Sequence, residues 1–182
     1  NYKDALSASG TKGVTREYPH TPGIDAVGEV IESNSSDFQT GEKVIVTGYD
    51  LGMNTYGGFG QYISIPANWA IPLPEELTEA EAMSIGTAGL TAGLCVRKLL
   101  MNDFTPDSGD VLVTGASGGV GSVAVMVLSK LGFKVVALTG KKDQADYLES
   151  LGASSVIMRS EMEEQGKPLQ KGIYQGLSLI HI

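Results

Sequence analysis

The chain has 182 residues, 42% of them hydrophobic and 19% charged, which suits one good-sized core or two small ones and excludes a disordered chain. A formal net charge of -8 argues against nucleic acid or an anionic membrane surface as main partner, and no run reaches the roughly 18 uninterrupted apolar residues of a membrane span. Cys95 is the only cysteine and the two histidines, His20 and His181, stand in no metal-ligand spacing, so an internal disulfide and a zinc site built from several Cys or His are excluded.

Residues 23–65 alternate short β-type runs with glycine turns. Asp25–Ile31, Glu42–Thr47 and Phe59–Ile65 are the expected strands, and their regular spacing suggests a small barrel-like β domain. The stretch Gly48–Gly58 is too glycine-rich for regular structure and reads as either the lining of a cleft or a solvated hairpin loop. Ile71-Pro-Leu-Pro74 marks a break. Thr78, followed by Glu79 and Glu81, marks a helix start with acids in the first turn. Small residues dominate Met83–Val96, which permits close packing on another element or on a ligand. Within it Thr87 and Thr91 read as helix-packing hydroxyls or as ligand contacts, and Cys95 as a small core residue. Residues 103–110, with Pro106 and Gly109, form the expected hinge into an α/β part.

That part opens on the most informative stretch of the chain. The β-branched run Val111–Val113 leads into a turn with Gly115, Gly118, Gly119 and Gly121, and Val123–Leu131 follows with the length and period of a helix. Strand, glycine turn and helix form the first unit of a dinucleotide-binding fold. Gly115 permits the sharp turn, Gly118 and Gly119 leave room for a pyrophosphate, and Gly121 lets helix pack on strand. The helix N-terminus offers the phosphates free N–H groups and a partial positive charge. A second strand at Phe133–Leu138, a helix over Asp143–Leu151 and a third strand at Ser155–Met158 complete β-α-β-α-β, which calls for a parallel sheet.

The second strand ends in Thr139-Gly140-Lys141-Lys142, where an NAD site usually carries an acid about 20 residues past the glycine turn. A lysine, a hydroxyl and backbone N–H groups attract a 2′-phosphate that a carboxylate would repel. Arg159, at the end of the third strand, adds a second cation. NADP(H) is therefore the expected dinucleotide.

Several stretches together resemble the medium-chain dehydrogenase/reductase superfamily, in its zinc-independent quinone oxidoreductase branch, and within it the acrylyl-CoA reductase group. They are Asn1–Leu6, Pro22–Gly28, Gly57-Gly58, Ile85–Ala92, Thr114–Ser122 and Tyr147–Ala153. Zinc-dependent relatives carry Gly-His-Glu where this chain has Gly23-Ile24-Asp25, and use a four-cysteine structural site. The resemblance implies an α/β fold: an incomplete GroES-like small β-barrel domain followed by an incomplete Rossmann-like parallel sheet. Its expected bounds are 1–75 for the GroES-like catalytic domain, 76–104 for a connecting helix region and 105–176 for the NADP-binding domain. Residues 177–182 are expected to be a non-native tail, because Gly176–Ile182 departs from the family's next strand. The family's first strands are expected before Asn1.

By the same resemblance, Tyr2 contacts the cofactor in the interdomain cleft, and Thr87 belongs to the same end of the site. The run Ser117, Gly118, Gly119, Val120, Gly121 and Ser122 holds the pyrophosphate. Thr139, Gly140, Lys141 and Arg159 hold the adenosine 2′-phosphate, with Lys141 standing where the family usually has Arg. The implied activity is an NADPH-dependent reduction of an activated C=C, acryloyl-CoA to propionyl-CoA, without zinc. A quinone or enone acceptor, or a non-catalytic NADPH-binding module, are the alternatives. Tyr2, Asp4 and Thr87 are the candidate catalytic residues, with the Tyr2 hydroxyl and N–H groups near Thr87 as donors to the enolate oxygen. A cytoplasmic homodimer is expected.

Overall fold

The structure, a computed structural model, describes residues 1–163 and 178–180. The chain divides into two compact units, Asn1–Thr87 and Ala88–Ile182. No helix among the described residues is long and apolar enough to cross a membrane.

The first unit opens on a short helix, α1 (Tyr2–Ala8), with Asn1 and Asp4 as a reciprocal capping box. Three strands follow, β1 (Asp25–Glu29), β2 (Lys43–Thr47) and β3 (Ala70–Pro72), in an antiparallel sheet of order β1-β2-β3. The register sets Asp25 opposite Thr47 and Val44 opposite Pro72. Pro72, which has no N–H to give, sits on an edge strand, where a ladder tolerates it. The first two strands lie where the β-type runs place them, a little shorter.

The third expected strand does not form. Phe59–Ile65 alternates as a strand should, but its start is bound to a loop: the N–H groups of Gly57, Gly58 and Phe59 donate to Thr21, Gly23 and Pro22 at 2.7, 2.8 and 3.0 Å. An alternating pattern needs a neighbouring ladder to become a strand, and this segment joins none. The loop contacts explain the glycines. A Cβ on Gly23 would come within 2.6 Å of the Gly58 nitrogen, and one on Gly52 within 2.6 Å of Gly23 backbone. Within Gly48–Gly58, Leu51 is fully buried and Gly52, Gly57 and Gly58 pack against backbone, whereas Tyr49 and Asn54–Tyr56 are exposed.

Helix α2 (Glu79–Leu100) carries the chain from the first unit into the second. Thr78 and Glu81 cap it reciprocally, the Thr78 N–H and hydroxyl donating to Glu81 Oε2 at 2.9 and 2.7 Å. It is broken at Gly86, whose φ of 47° and ψ of -156° are open to glycine and costly for other residues.

The second unit is a parallel sheet of order β6-β5-β4-β7, made of β4 (Val111–Thr114), β5 (Val135–Thr139), β6 (Ser155–Met158) and β7 (Ser178–Ile180). Between them run α3 (Gly119–Lys130), α4 (Ala145–Ser150) and the short α5 (Arg159–Glu163). Val111, Val113, Val125, Leu128, Val135, Ala137 and Leu148 form a buried core, joined by Ala92 and Val96 of α2, with Cys95 packed against it. The expected helix over Asp143–Leu151 is a 3-10 turn at Lys142–Gln144 followed by α4. The expected tail falls largely outside the described residues; Ser178–Ile180 within it pairs with β4 as β7.

Candidate functional site

Strand order β6-β5-β4-β7 reverses direction beside β4, and ligands of open parallel sheets bind beyond the carboxyl ends of strands at such a point. The glycine turn stands there. Gly115, with φ of 59°, makes the bend, and Gly118, with extended backbone, caps α3. The first bond inside the helix is Ser122 N–H to Gly118 O at 2.9 Å, so the N–H groups of Gly119, Val120 and Gly121 precede the intrahelical ladder. Gly118 and Gly119 are exposed, whereas Gly121 is buried against the strand end, where a Cβ would lie 2.7 Å from Ala116 Cα. Bare backbone, a helix N-terminus and no acidic side chain in the first turn fit a dinucleotide's phosphates.

The two expected hydroxyls of this run have partners within the chain. Ser122 Oγ donates to Gly119 O at 3.2 Å, and Ser117 Oγ meets Thr139 Oγ1 at 2.9 Å. Thr139 Oγ1 also accepts the Lys141 N–H at 3.1 Å, and the side chain is only 2% exposed. The register pairs Thr139 with Met158, which brings Arg159 to the next turn: a Cβ on Gly140 would lie 2.7 Å from an Arg159 guanidinium nitrogen. The fold thus gathers Thr139, Gly140 and Arg159, with exposed Lys141 and Lys142 beside them.

The candidates of the first unit lie at the start of α1 and at the helix break. Tyr2 is 80% exposed on α1. Asp4 is buried, and its Oδ1 accepts the N–H groups of Gly23 and Ile24 at 3.1 and 2.9 Å, so it fixes the loop ahead of β1. Thr87 gives both its N–H and its hydroxyl to Asp25 Oδ1, each at 2.8 Å. The N–H of Thr87 itself is thus engaged within the chain. Asn1, Asp4, Asp25, Ala26, Val27, Gly58, Phe59 and Met83 line an open cavity of about 380 Å³. Asp25 was not among the residues singled out from the sequence. The signals for it were a carboxylate at the head of an apolar strand and a glycine inside a helical pattern. Among the described residues, no cluster of three or more His, Cys, Asp or Glu side chains is placed to hold a metal ion.

A small antiparallel β unit followed by a parallel sheet with a glycine turn after its first strand is the layout of a medium-chain dehydrogenase/reductase. Residues 1–75 match the family model of the alcohol dehydrogenase GroES-like domain, and nearly the whole chain is similar to oxidoreductases. It is 49% identical to YhfP of Bacillus subtilis, provisionally named a quinone oxidoreductase, and 47% identical to the acrylyl-CoA reductase AcuI of Ruegeria pomeroyi. Each match covers 97% of this chain and 54% of the relative. The crystal structure of Escherichia coli YhdH with bound NADPH superposes with a TM-score of 0.89 at 45% identity, over 94% of this chain and 53% of that one. That of YhfP with bound NAD gives a TM-score of 0.87 at 49% identity, over 94% and 52%. The chain spans about half the length of the curated relatives it matches.

Proposed function

We propose that this chain belongs to an NADPH-dependent reductase of activated carbon–carbon double bonds, with acryloyl-CoA, or an enoyl thioester like it, as substrate and propionyl-CoA as product. The observation that carries this reading is the grouping of Gly140, Lys141 and Arg159 beside the glycine turn, two cations and a bare backbone where an NAD site usually has an acid. The names of the 47% identical relative and of the NADPH-bound neighbour support it.

When bound, NADPH supplies the hydride that adds to the β-carbon of the enoyl group. The chain's own part is binding and electrostatics. The N–H groups of Gly119, Val120 and Gly121 take the pyrophosphate, and Lys141 and Arg159 take the 2′-phosphate. Tyr2 and Thr87 are the contacts of the nicotinamide end, and the exposed Tyr2 hydroxyl is the donor for the enolate oxygen. Asp4 acts through the loop that it holds. Domain bounds of 1–75, 76–104 and 105–176, a homodimer and a cytoplasmic location belong to the same reading.

Steady-state NADPH oxidation by the full-length protein, with acryloyl-CoA and with a quinone in parallel, tests the proposal. A higher kcat/KM with acryloyl-CoA is expected. A preference for the quinone would favour the second reading, a quinone or enone reductase, which rests on the similarity to YhfP. Tight NADPH binding with no turnover of either would leave a non-catalytic NADPH-binding module.

A further inference from the structure

One carboxylate in the first unit connects three segments that are distant in sequence. Asp25 Oδ1 accepts the Thr87 N–H and the Thr87 hydroxyl, each at 2.8 Å, while Oδ2 accepts the Asn1 side-chain amide at 2.7 Å. Gly86 makes this approach possible, since a Cβ there would lie 2.7 Å from Asp25 Oδ2. At the break in α2 the ladder is interrupted, so Thr87 begins a new helical run whose first N–H needs an outside acceptor. Asp25 supplies it from β1, in place of an N-cap residue at the start of the helix itself.

We propose that Asp25 is the positioning residue of this site: it locks the helix break at Gly86–Thr87 to the start of α1, and it leaves Thr87 no hydrogen to donate. A hydroxyl carries one proton and an N–H one more, and both point at the same carboxylate oxygen. Thr87 thus meets any ligand as an acceptor, and the proton that completes reduction comes from another group. The inference rests on the functional reading above only where NADPH and turnover are concerned; the lock itself is a property of the fold.

The test uses the full-length protein with Asp25→Ala and Asp25→Asn. Asparagine keeps an Oδ1 that accepts both Thr87 hydrogens but turns an NH2 toward Asn1, so it breaks one arm and spares the other. In Asp25→Ala, amide exchange at Thr87 should accelerate by about tenfold or more, with residues 93–100 unchanged, whereas Asp25→Asn should stay within about threefold of the natural protein. Binding of NADPH, read from its own fluorescence, should weaken about tenfold in Asp25→Ala and recover most of that in Asp25→Asn. Thr87→Val should keep the natural solvent deuterium isotope effect on kcat, since no transferred proton comes from that hydroxyl. Unchanged Thr87 exchange in Asp25→Ala would overturn the lock, and a solvent isotope effect abolished in Thr87→Val would overturn the assignment of hydrogen-bond polarity. Failure of the natural protein to bind NADPH would instead sink the functional reading, with the exchange measurement still deciding the lock.

Discussion

The hydroxyls of Ser117 and Thr139 meet at 2.9 Å, tying the turn after β4 to the end of β5. Thr139 is buried and also accepts the Lys141 N–H, so it braces both halves of the proposed dinucleotide site and contacts solvent hardly at all. Thr139→Val keeps the shape and removes the bridge. Loss of about 1–2 kcal/mol of stability is expected in urea unfolding, because the half-buried Ser117 hydroxyl loses its partner. NADPH affinity should fall with it, measured by titration.

Gly140 separates the two cations from the bridge. Gly140→Ala would place a Cβ 2.7 Å from an Arg159 nitrogen, and the guanidinium, as the far end of a flexible side chain, would swing away. The fold should survive while NADPH affinity drops about tenfold and NADH affinity is unchanged. Lys141→Ala should act in the same direction. Equal affinities of the natural protein for NADPH and NADH would sink the 2′-phosphate assignment.

The glycines of the turn are expected to fail differently. In Gly121→Ala the added carbon would overlap Gly115 O and lie 2.7 Å from Ala116 Cα, backbone that cannot step aside. A loss of about 3 kcal/mol or more, visible as a large fall in Tm, is expected. In Gly119→Ala the nearest atom is Ala88 Cβ at 3.4 Å, so the protein should fold normally and lose NADPH affinity alone.

The cap of α2 carries a pH dependence. The Thr78 hydroxyl, and after it the Thr78 N–H, hold the Glu81 carboxyl below its usual value. Its folded pKa therefore lies below the unfolded one. The stabilisation is complete above the unfolded value and is lost as pH falls through the folded value. Thr78→Ala should lower stability by about 1 kcal/mol near neutral pH. The gap from the natural protein should narrow in unfolding curves taken at successively lower pH.

Local pattern determined the elements of the second unit from Val111 to Met158, while β7, in the stretch expected as a tail, came only from its pairing with β4. Val111–Val113, the glycine turn and Ser155–Met158 carry their geometry in neighbouring residues, because β-branched runs, glycines at bends and helical periods act over a few positions. The nearness of Arg159 to Gly140 follows from the parallel register, which sets Thr139 opposite Met158 and so brings the two strand ends level. The first unit was legible only in part. Its first two strands are local, but Phe59–Ile65 alternates without a ladder to join, and whether an alternating run becomes a strand depends on what lies beside it. Only the tertiary structure decided what becomes of Thr87. Whether its hydroxyl packs a helix or meets a ligand depends on Asp25, a residue far away in sequence, whose carboxylate takes both hydrogens across a gap that a glycine holds open.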